Sequence, residues 1–207
     1  MLSSRISLSL LVAFVLVLAG ELAYLYWQDH APKENRYDPL IVAVAREEGI
    51  DPFLIRALIW RESRFNPSIY GLAQEHGLMQ VTPGAGEVWA KANHIAGFQP
   101  QDLFDPLTNI RAGTWYLSHA INHWRQTDDP VTFGLAEYNA GRSNALKWVD
   151  PADPQNSIAF LNRITFPTTR KYVEVIEEKR AEYKSVLANN RWYRPFVQSG
   201  SSVTSAP

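Results

Sequence analysis

The chain has 207 residues, enough for one well-buried domain with appendages rather than for two domains. An apolar content of 46% against 20% charged residues excludes a disordered chain, and a net charge of −1 removes the electrostatic case for nucleic-acid binding. With no cysteine, structural disulfides, thiolate metal sites and an acylated N-terminal Cys anchor are all excluded.

The N-terminus predicts an export segment. Arg5 and the free amine precede ISLSLLVAFVLVLAG (6–20), which carries no charge; Glu21 follows, then LAYLYW (22–27). The charge-free run alone is shorter than the ~20 residues that a span needs. Extended through Trp27 it suffices, with Tyr24, Tyr26 and Trp27 forming an interfacial belt. Two readings follow, an uncleaved signal-anchor over 6–27 or a cleaved signal peptide. The small-residue cleavage pattern is poor, because Leu18 precedes Gly20 by two and Glu21 precedes Ala23 by two, so the anchor is favoured. In both readings the globular part is extracytoplasmic, in the periplasm or cell-wall space. Residues 28–36 read as a polar linker.

From residue 37 the pattern is helical nearly throughout, and the expected fold class is all-α. The stretch 37–49 has apolar positions at 40, 41, 43 and 44 and ends at Gly49. Asp51–Pro52 is a helix start, with Leu54, Ile55, Leu58 and Ile59 forming a stripe and Asn66–Pro67 as the stop. Residues 68–80 read as a loop. Thr82–Pro83 opens a helix to about Asn93, Asp105–Pro106 opens one over 107–124, and Asp129–Pro130 opens one over 131–141 that Gly141 stops. Gly113, in line with Ile110 and Leu117, predicts a close backbone approach. Ser143 reads as a cap for NALKWV, 150–157 as a loop and 169–187 as the last helix, with Tyr172, Val173, Ile176, Arg180, Tyr183 and Leu187 near one face. The tail from Ala188 to Pro207 reads as disordered. The domain plan is therefore 1–27 anchor or signal, 28–36 linker, 37–187 catalytic domain and 188–207 tail.

Glu62 is the residue of greatest chemical interest. It follows Leu58 by four and so continues the apolar face of its helix instead of opposing it. A carboxyl withheld from water resists ionisation and can serve as a general acid near neutral pH. Taken alone, such a Glu is equally a surface residue ending a helix.

The string ESRFNP (62–67) is similar to the E-S-x-x-x-P of the soluble-lytic-transglycosylase family, whose catalytic domain resembles goose-type lysozyme. GLMQVTP (77–83), NIRAGTWYL (109–117), AEYNAG (136–141) and FPTTRKYV (166–173) match further family motifs in the family's order. The resemblance covers roughly residues 40–180. It implies cleavage of the β-1,4 bond between N-acetylmuramic acid and N-acetylglucosamine in peptidoglycan, leaving a 1,6-anhydro end. Glu62 would be the acid and then the base. Ser63, Met79, Gln80, Tyr116, Tyr138 and Asn139 would line the substrate groove, with the Tyr138 phenol near Glu62. Tyr172 and Arg170 would support the groove structurally.

Each of these residues has a plainer role beside it. Ser63 can end a helix, Met79 can pack in a core, Tyr138 can be a buried ring with a satisfied hydroxyl, and Asn139 can cap a turn. Ordinary glycosidases need a second carboxylate. The acidic residues nearest to the motifs are Glu75, Glu87 and Glu137; Glu75 and Glu137 are expected at the surface. If either faced Glu62, a lysozyme-like hydrolase would gain ground. A non-catalytic glycan-binding part of an envelope complex is the third reading. His119 and His123, four apart, lack the acidic neighbour of a metalloprotease helix and read as a solvated face. No cofactor and no metal is implied, and the expected partners are glycan strands and, through the N-terminal helix, the membrane.

Overall fold

Helices supply the regular structure of the computed structural model, which describes residues 10–22 and 33–199. The chain divides into two units, Met1–Arg36 and Tyr37–Pro207. In the first, helix α1 (10–22) exposes apolar side chains such as Leu11, Phe14, Val15 and Leu16. Among the described residues no helix is long and apolar enough to cross a membrane. The anchor expected over 6–27 falls in part on 6–9 and 23–27, which lie outside the described residues.

The second unit holds α2 (Asp38–Glu48), α3 (Pro52–Ser63), α4 (Pro83–Ala92), α5 (Pro106–His123), α6 (Pro130–Ala140), α7 (Arg142–Trp148), α8 (Ser157–Arg163), α9 (Pro167–Leu187) and α10 (Arg194–Ser199). Single-turn 3-10 helices occur at Lys33–Tyr37 and Pro100–Phe104. Four starts follow one rule: a polar residue caps the helix and proline occupies its first turn, where an N–H would have no partner. Asp51 accepts from Phe53 N–H, Thr82 from Ala85, Asp105 from Thr108 and Asp129 from Val131.

Helix α3 is the centre of the domain. Every residue from Phe53 to Ile59 is buried, so the expected stripe is a helix enclosed on all sides. That includes Arg56, whose guanidinium pairs with the buried Asp38 carboxylate and lies 4.7 Å from the Tyr183 ring and 5.3 Å from that of Phe65. The Tyr193 hydroxyl donates to the same Asp38 oxygen at 2.8 Å. A buried charge persists only when paired and hydrogen-bonded, and this group is. Tyr193 also corrects the expectation for the tail. It is fully buried and stacked on Phe53 at 5.0 Å, and α10 follows it, so 188–199 is structured. Residues 200–207 lie outside the described residues.

Other differences are local. Helix α3 ends three residues before Asn66, because Arg64 (φ 51°) and Phe65 (φ 60°) both turn left-handed and send the Phe65 ring into the core. Helix α8, not anticipated, starts where Asn156 caps Ala159 N–H.

Helices α3 and α9 run antiparallel and are tied at both ends. At one end Arg180 Nε donates to Asp51 Oδ2 at 2.8 Å while the other Asp51 oxygen caps α3. At the other end Tyr172 reaches Glu62.

Residues 70–81 form a tight hairpin on the side of α5, with His76 and Val81 exchanging backbone hydrogen bonds of 2.9 and 3.1 Å. Asn109, fully buried on α5, holds it in place. Its amide donates to His76 and Leu103 carbonyls at 2.7 Å each, and its oxygen accepts from Met79 N–H at 2.8 Å. The close approach expected at Gly113 is present: a Cβ there would lie 2.7 Å from Met79 Cβ and Sδ. Asn109→Ala strands three buried polar groups and should destabilise the domain by about 3 kcal/mol in urea unfolding.

Candidate active site

Glu62 sits on the last turn of α3, where the buried helix emerges beside the 70–81 hairpin and the start of α9. Its carboxyl is pushed up from an ordinary 4.5 to about 7. Burial is the main cause. The Tyr172 hydrogen bond and the Arg61 charge pull it down, and the Glu75 charge pushes it further up. Tyr172 donates its hydroxyl to Glu62 Oε1 at 2.5 Å, and the Arg61 guanidinium lies 5.3 Å from the Tyr172 ring. The Tyr172 and Tyr138 phenols are both held well above their ordinary range, first by burial and then by the Glu62 charge, which fixes them as donors.

The phenol bonded to Glu62 is thus Tyr172, which the sequence assigns to support, while Tyr138 is near enough to feel the Glu62 charge but bonds elsewhere. The Tyr138 hydroxyl donates to the Met79 carbonyl at 2.9 Å, locking the hairpin to α6. Its ring packs edge-on against Tyr116, 5.7 Å between centroids. Gln80, Tyr116 and Tyr138 line one small surface pocket together with Val81, Thr82 and Ala85. Gln80 takes a left-handed backbone (φ 48°), and its amide N–H groups donate to Gly77 and Ile69 carbonyls at 2.9 and 3.3 Å.

Of the other expected groove residues, two are buried and the third is exposed with a bond to a neighbouring helix. Ser63 is buried and its hydroxyl donates back to the Ile59 carbonyl at 3.1 Å, so it ends the helix and does not face a groove. The Met79 side chain is fully buried, its sulfur accepting from Thr114 Oγ1 at 3.7 Å, so it packs the core while its backbone serves Tyr138. Asn139 is exposed and its oxygen accepts from Thr169 Oγ1 at 2.8 Å, joining α6 to α9. Arg170 does act in support, donating to the Asn162 and Ile164 carbonyls.

Of the two acidic residues expected at the surface, Glu137 is not there. Glu137 is buried, with one oxygen 2.8 Å from His123 Nδ1 and the other accepting from Trp124 Nε1 at 2.7 Å, and Arg142 at 3.5 Å. His123 is therefore tied to Glu137 rather than simply solvated, while His119 Nδ1 lies 2.8 Å from the Trp115 carbonyl. Glu75 is half-buried in the hairpin, near enough for its charge to act on Glu62. The signal for Tyr172 lay in the α9 stripe, which points at α3, but nothing in the spacing ranked it above Tyr138. Among the described residues no group of three His, Asp or Glu side chains is placed to hold a metal ion.

The described residues from 37 on form a helical domain that presents a carboxyl of raised pKa beside a hairpin whose Gln80 shares a pocket with Tyr116 and Tyr138. Residues 32–160 match the family model described as the transglycosylase SLT domain, and the chain belongs to that family. It is 34% identical over 172 residues to the soluble lytic murein transglycosylase of Escherichia coli K12, covering 82% of this chain and 25% of that protein. It is 35% identical over 139 residues to the membrane-bound lytic murein transglycosylase C of Actinobacillus succinogenes, covering 64% of this chain and 38% of that one. Among solved structures it resembles the 70 kDa soluble lytic transglycosylase of Escherichia coli, with TM-score 0.66 and 30% identity over 73% of this chain and 24% of that one. A 70 kDa soluble lytic transglycosylase in complex with bulgecin A gives TM-score 0.66 at 29% identity, over 73% of this chain and 24% of that one. The chain thus spans about a quarter of the length of the soluble relatives it matches.

The Glu62 pKa has a consequence for stability. Its folded value lies above its unfolded one, so its contribution is fully present below about pH 4.5 and is lost as pH rises through about 7. Glu62→Gln, which keeps an acceptor for Tyr172, should gain on the wild type by about 2 kcal/mol between pH 5 and pH 8 in denaturant unfolding.

Proposed function

We propose that this protein is a peptidoglycan lytic transglycosylase acting on the β-1,4 bond between N-acetylmuramic acid and N-acetylglucosamine. The observation that carries the reading is the Glu62 carboxyl, raised to about 7 and gripped by Tyr172, in a chain of the SLT family. A group with that pKa is part acid and part base at neutrality, and the reaction uses both forms in turn. Glu62 protonates the glycosidic oxygen as its bond to the muramic acid anomeric carbon breaks. The resulting carboxylate takes the proton of the muramic acid 6-hydroxyl, whose oxygen closes on the anomeric carbon. The proton returns to Glu62, no water is consumed and the product ends in a 1,6-anhydro sugar. Tyr172 steadies the carboxylate between the two steps. Gln80, Tyr116, Tyr138 and Asn139 form the sugar-facing wall, with amide and phenol groups suited to hydroxyl and N-acetyl groups. Ser63 and Met79 act from behind it.

The catalytic domain is proposed to span 37–187, with 188–199 as an integral brace. We place it outside the cytoplasm, tethered by an N-terminal helix over 6–27. The support is the exposed apolar surface of α1 and Arg5 before it in the sequence. A tethered enzyme stays with the membrane pellet through alkaline carbonate washing and keeps Met1 at its N-terminus. Release into the supernatant with a new N-terminus would overturn the tether.

The activity is tested by mass spectrometry of products from purified glycan strands. Anhydro ends, lighter than reducing ends by one water, are expected. Glu62→Gln should lower the rate by about a thousandfold with the fold intact, since an amide cannot supply the proton. Reducing ends alone would make the protein a hydrolase, and binding without release would make it a glycan-holding component.

A further inference from the structure

Glu75 occupies an unusual position for a loop carboxylate. The hairpin turns between Gly71 and Glu75, with Gly71 N–H bonded to the Glu75 carbonyl at 2.8 Å and Gln74 N–H to the Gly71 carbonyl at 3.2 Å. That turn folds the Glu75 side chain back over Gly71. A Cβ on Gly71 would lie 2.2 Å from Glu75 Oε2 and 2.8 Å from Gln80 Oε1, so both oxygens converge over a residue that has no side chain. Gln80 commits its N–H groups to the Gly77 and Ile69 carbonyls, and it lines the pocket shared with Tyr116 and Tyr138. The Glu75 carboxylate is therefore held against the wall that carries the proposed sugar-binding groups.

Its partners are few. Oε2 accepts from Ala73 N–H at 2.8 Å; Oε1 has no donor and the carboxylate no ion pair among the described residues. Glu137 shows what a structural carboxylate looks like in this fold, with both oxygens bonded and an arginine nearby. Glu75 is instead half-exposed beside the acid, and its charge opposes ionisation of Glu62. The other groups acting on Glu62 are Tyr172 and Arg61, and the Tyr138 phenol feels the Glu62 charge from α6.

We propose that Glu75 is a second catalytic carboxylate, its unpartnered oxygen directed at the sugar ring to stabilise positive charge on the anomeric carbon. Glycosidic cleavage passes through an oxocarbenium-like state, and a fixed negative charge near that carbon is worth more in the transition state than in the ground state. The proton inventory is unchanged. Glu62 still gives its proton to the leaving oxygen and recovers one from the 6-hydroxyl, while Glu75 neither gains nor loses a proton. This inference rests on the lytic transglycosylase reading, in which Glu75 supplies charge alone and, unlike the second carboxylate of a hydrolase, neither attacks the sugar nor activates water.

The test is steady-state kinetics of the full chain on soluble glycan strands, across pH. Glu75→Gln should lower kcat by about tenfold or more with KM within about twofold, as expected for an interaction made in the transition state. The alkaline limb should also move to lower pH, because the charge that helps keep Glu62 protonated is gone. Gly71→Ala provides a second variant. Its backbone is not left-handed, and the three atoms nearest the added Cβ belong to the ends of two side chains, so it should fold while displacing Glu75 and lowering kcat likewise. A kcat within twofold of wild type in both variants, a loss confined to KM, or an unmoved alkaline limb would overturn the assignment while leaving the transglycosylase reading intact. A wild-type protein that releases nothing would overturn both.

Discussion

The hydrogen bond between Tyr172 and Glu62 joins residues 110 positions apart, and the chemistry proposed for the site depends on it. Burial alone would drive the Glu62 carboxyl towards permanent neutrality, and a permanently neutral acid cannot accept a proton back. A phenol donor of fixed protonation stabilises the charged form as well. The two effects oppose each other and leave the group near 7, where both forms are populated at neutral pH. The position of that phenol is a property of the α3–α9 pair. Asp51 and Arg180 fix one end of the antiparallel pair, which sets the level at which Tyr172 meets α3 at the other.

The second constraint is the 70–81 hairpin. Its tip buries little, with Leu72 fully exposed and Tyr70 largely so, while Leu78, Met79 and Val81 seat its second arm in the core. Asn109 supplies three bonds from inside the core, Met79 plugs the space left by Gly113, and Tyr138 ties the Met79 carbonyl to α6. Two helices, α5 and α6, thus converge on one loop. The motif residues Met79 and Asn109 matter here as mountings: they hold Gln80 and Glu75 at the surface while lying beneath it.

The sequence was a good guide wherever local chemistry decides the outcome. Asp51–Pro52, Thr82–Pro83, Asp105–Pro106 and Asp129–Pro130 each combine a cap with a residue that lacks an N–H, and helices begin there. It was a poor guide where short elements depend on distant partners. Helix α10 has six residues and no period to detect; its place is set by Tyr193 reaching Asp38, 155 residues away. The choice between Tyr138 and Tyr172 as the partner of Glu62 belongs to the same class. Both lie in recognisable motifs and both rings are directed inward. Only the crossing of α9 over α3 decides which hydroxyl arrives.

The three carboxylates Glu62, Glu75 and Glu137 separate by their partners more clearly than by their burial. Glu137 is the most buried of them, yet His123, Trp124 and Arg142 engage both of its oxygens, and it has no capacity left for substrate. Glu62 has one strong donor and an environment that resists charge. Glu75 has one backbone donor, one free oxygen among the described residues and a glycine beneath it. A fully bonded acid is a fastening, a poorly solvated acid with one donor can exchange a proton, and a partly bonded carboxylate keeps negative charge available to a ligand. Motif position alone would have ranked Glu137, inside AEYNAG, above Glu75, which lies outside every matched string. Counting the donors reverses that order, and it places the second negative charge of the cleft on the hairpin rather than on α6.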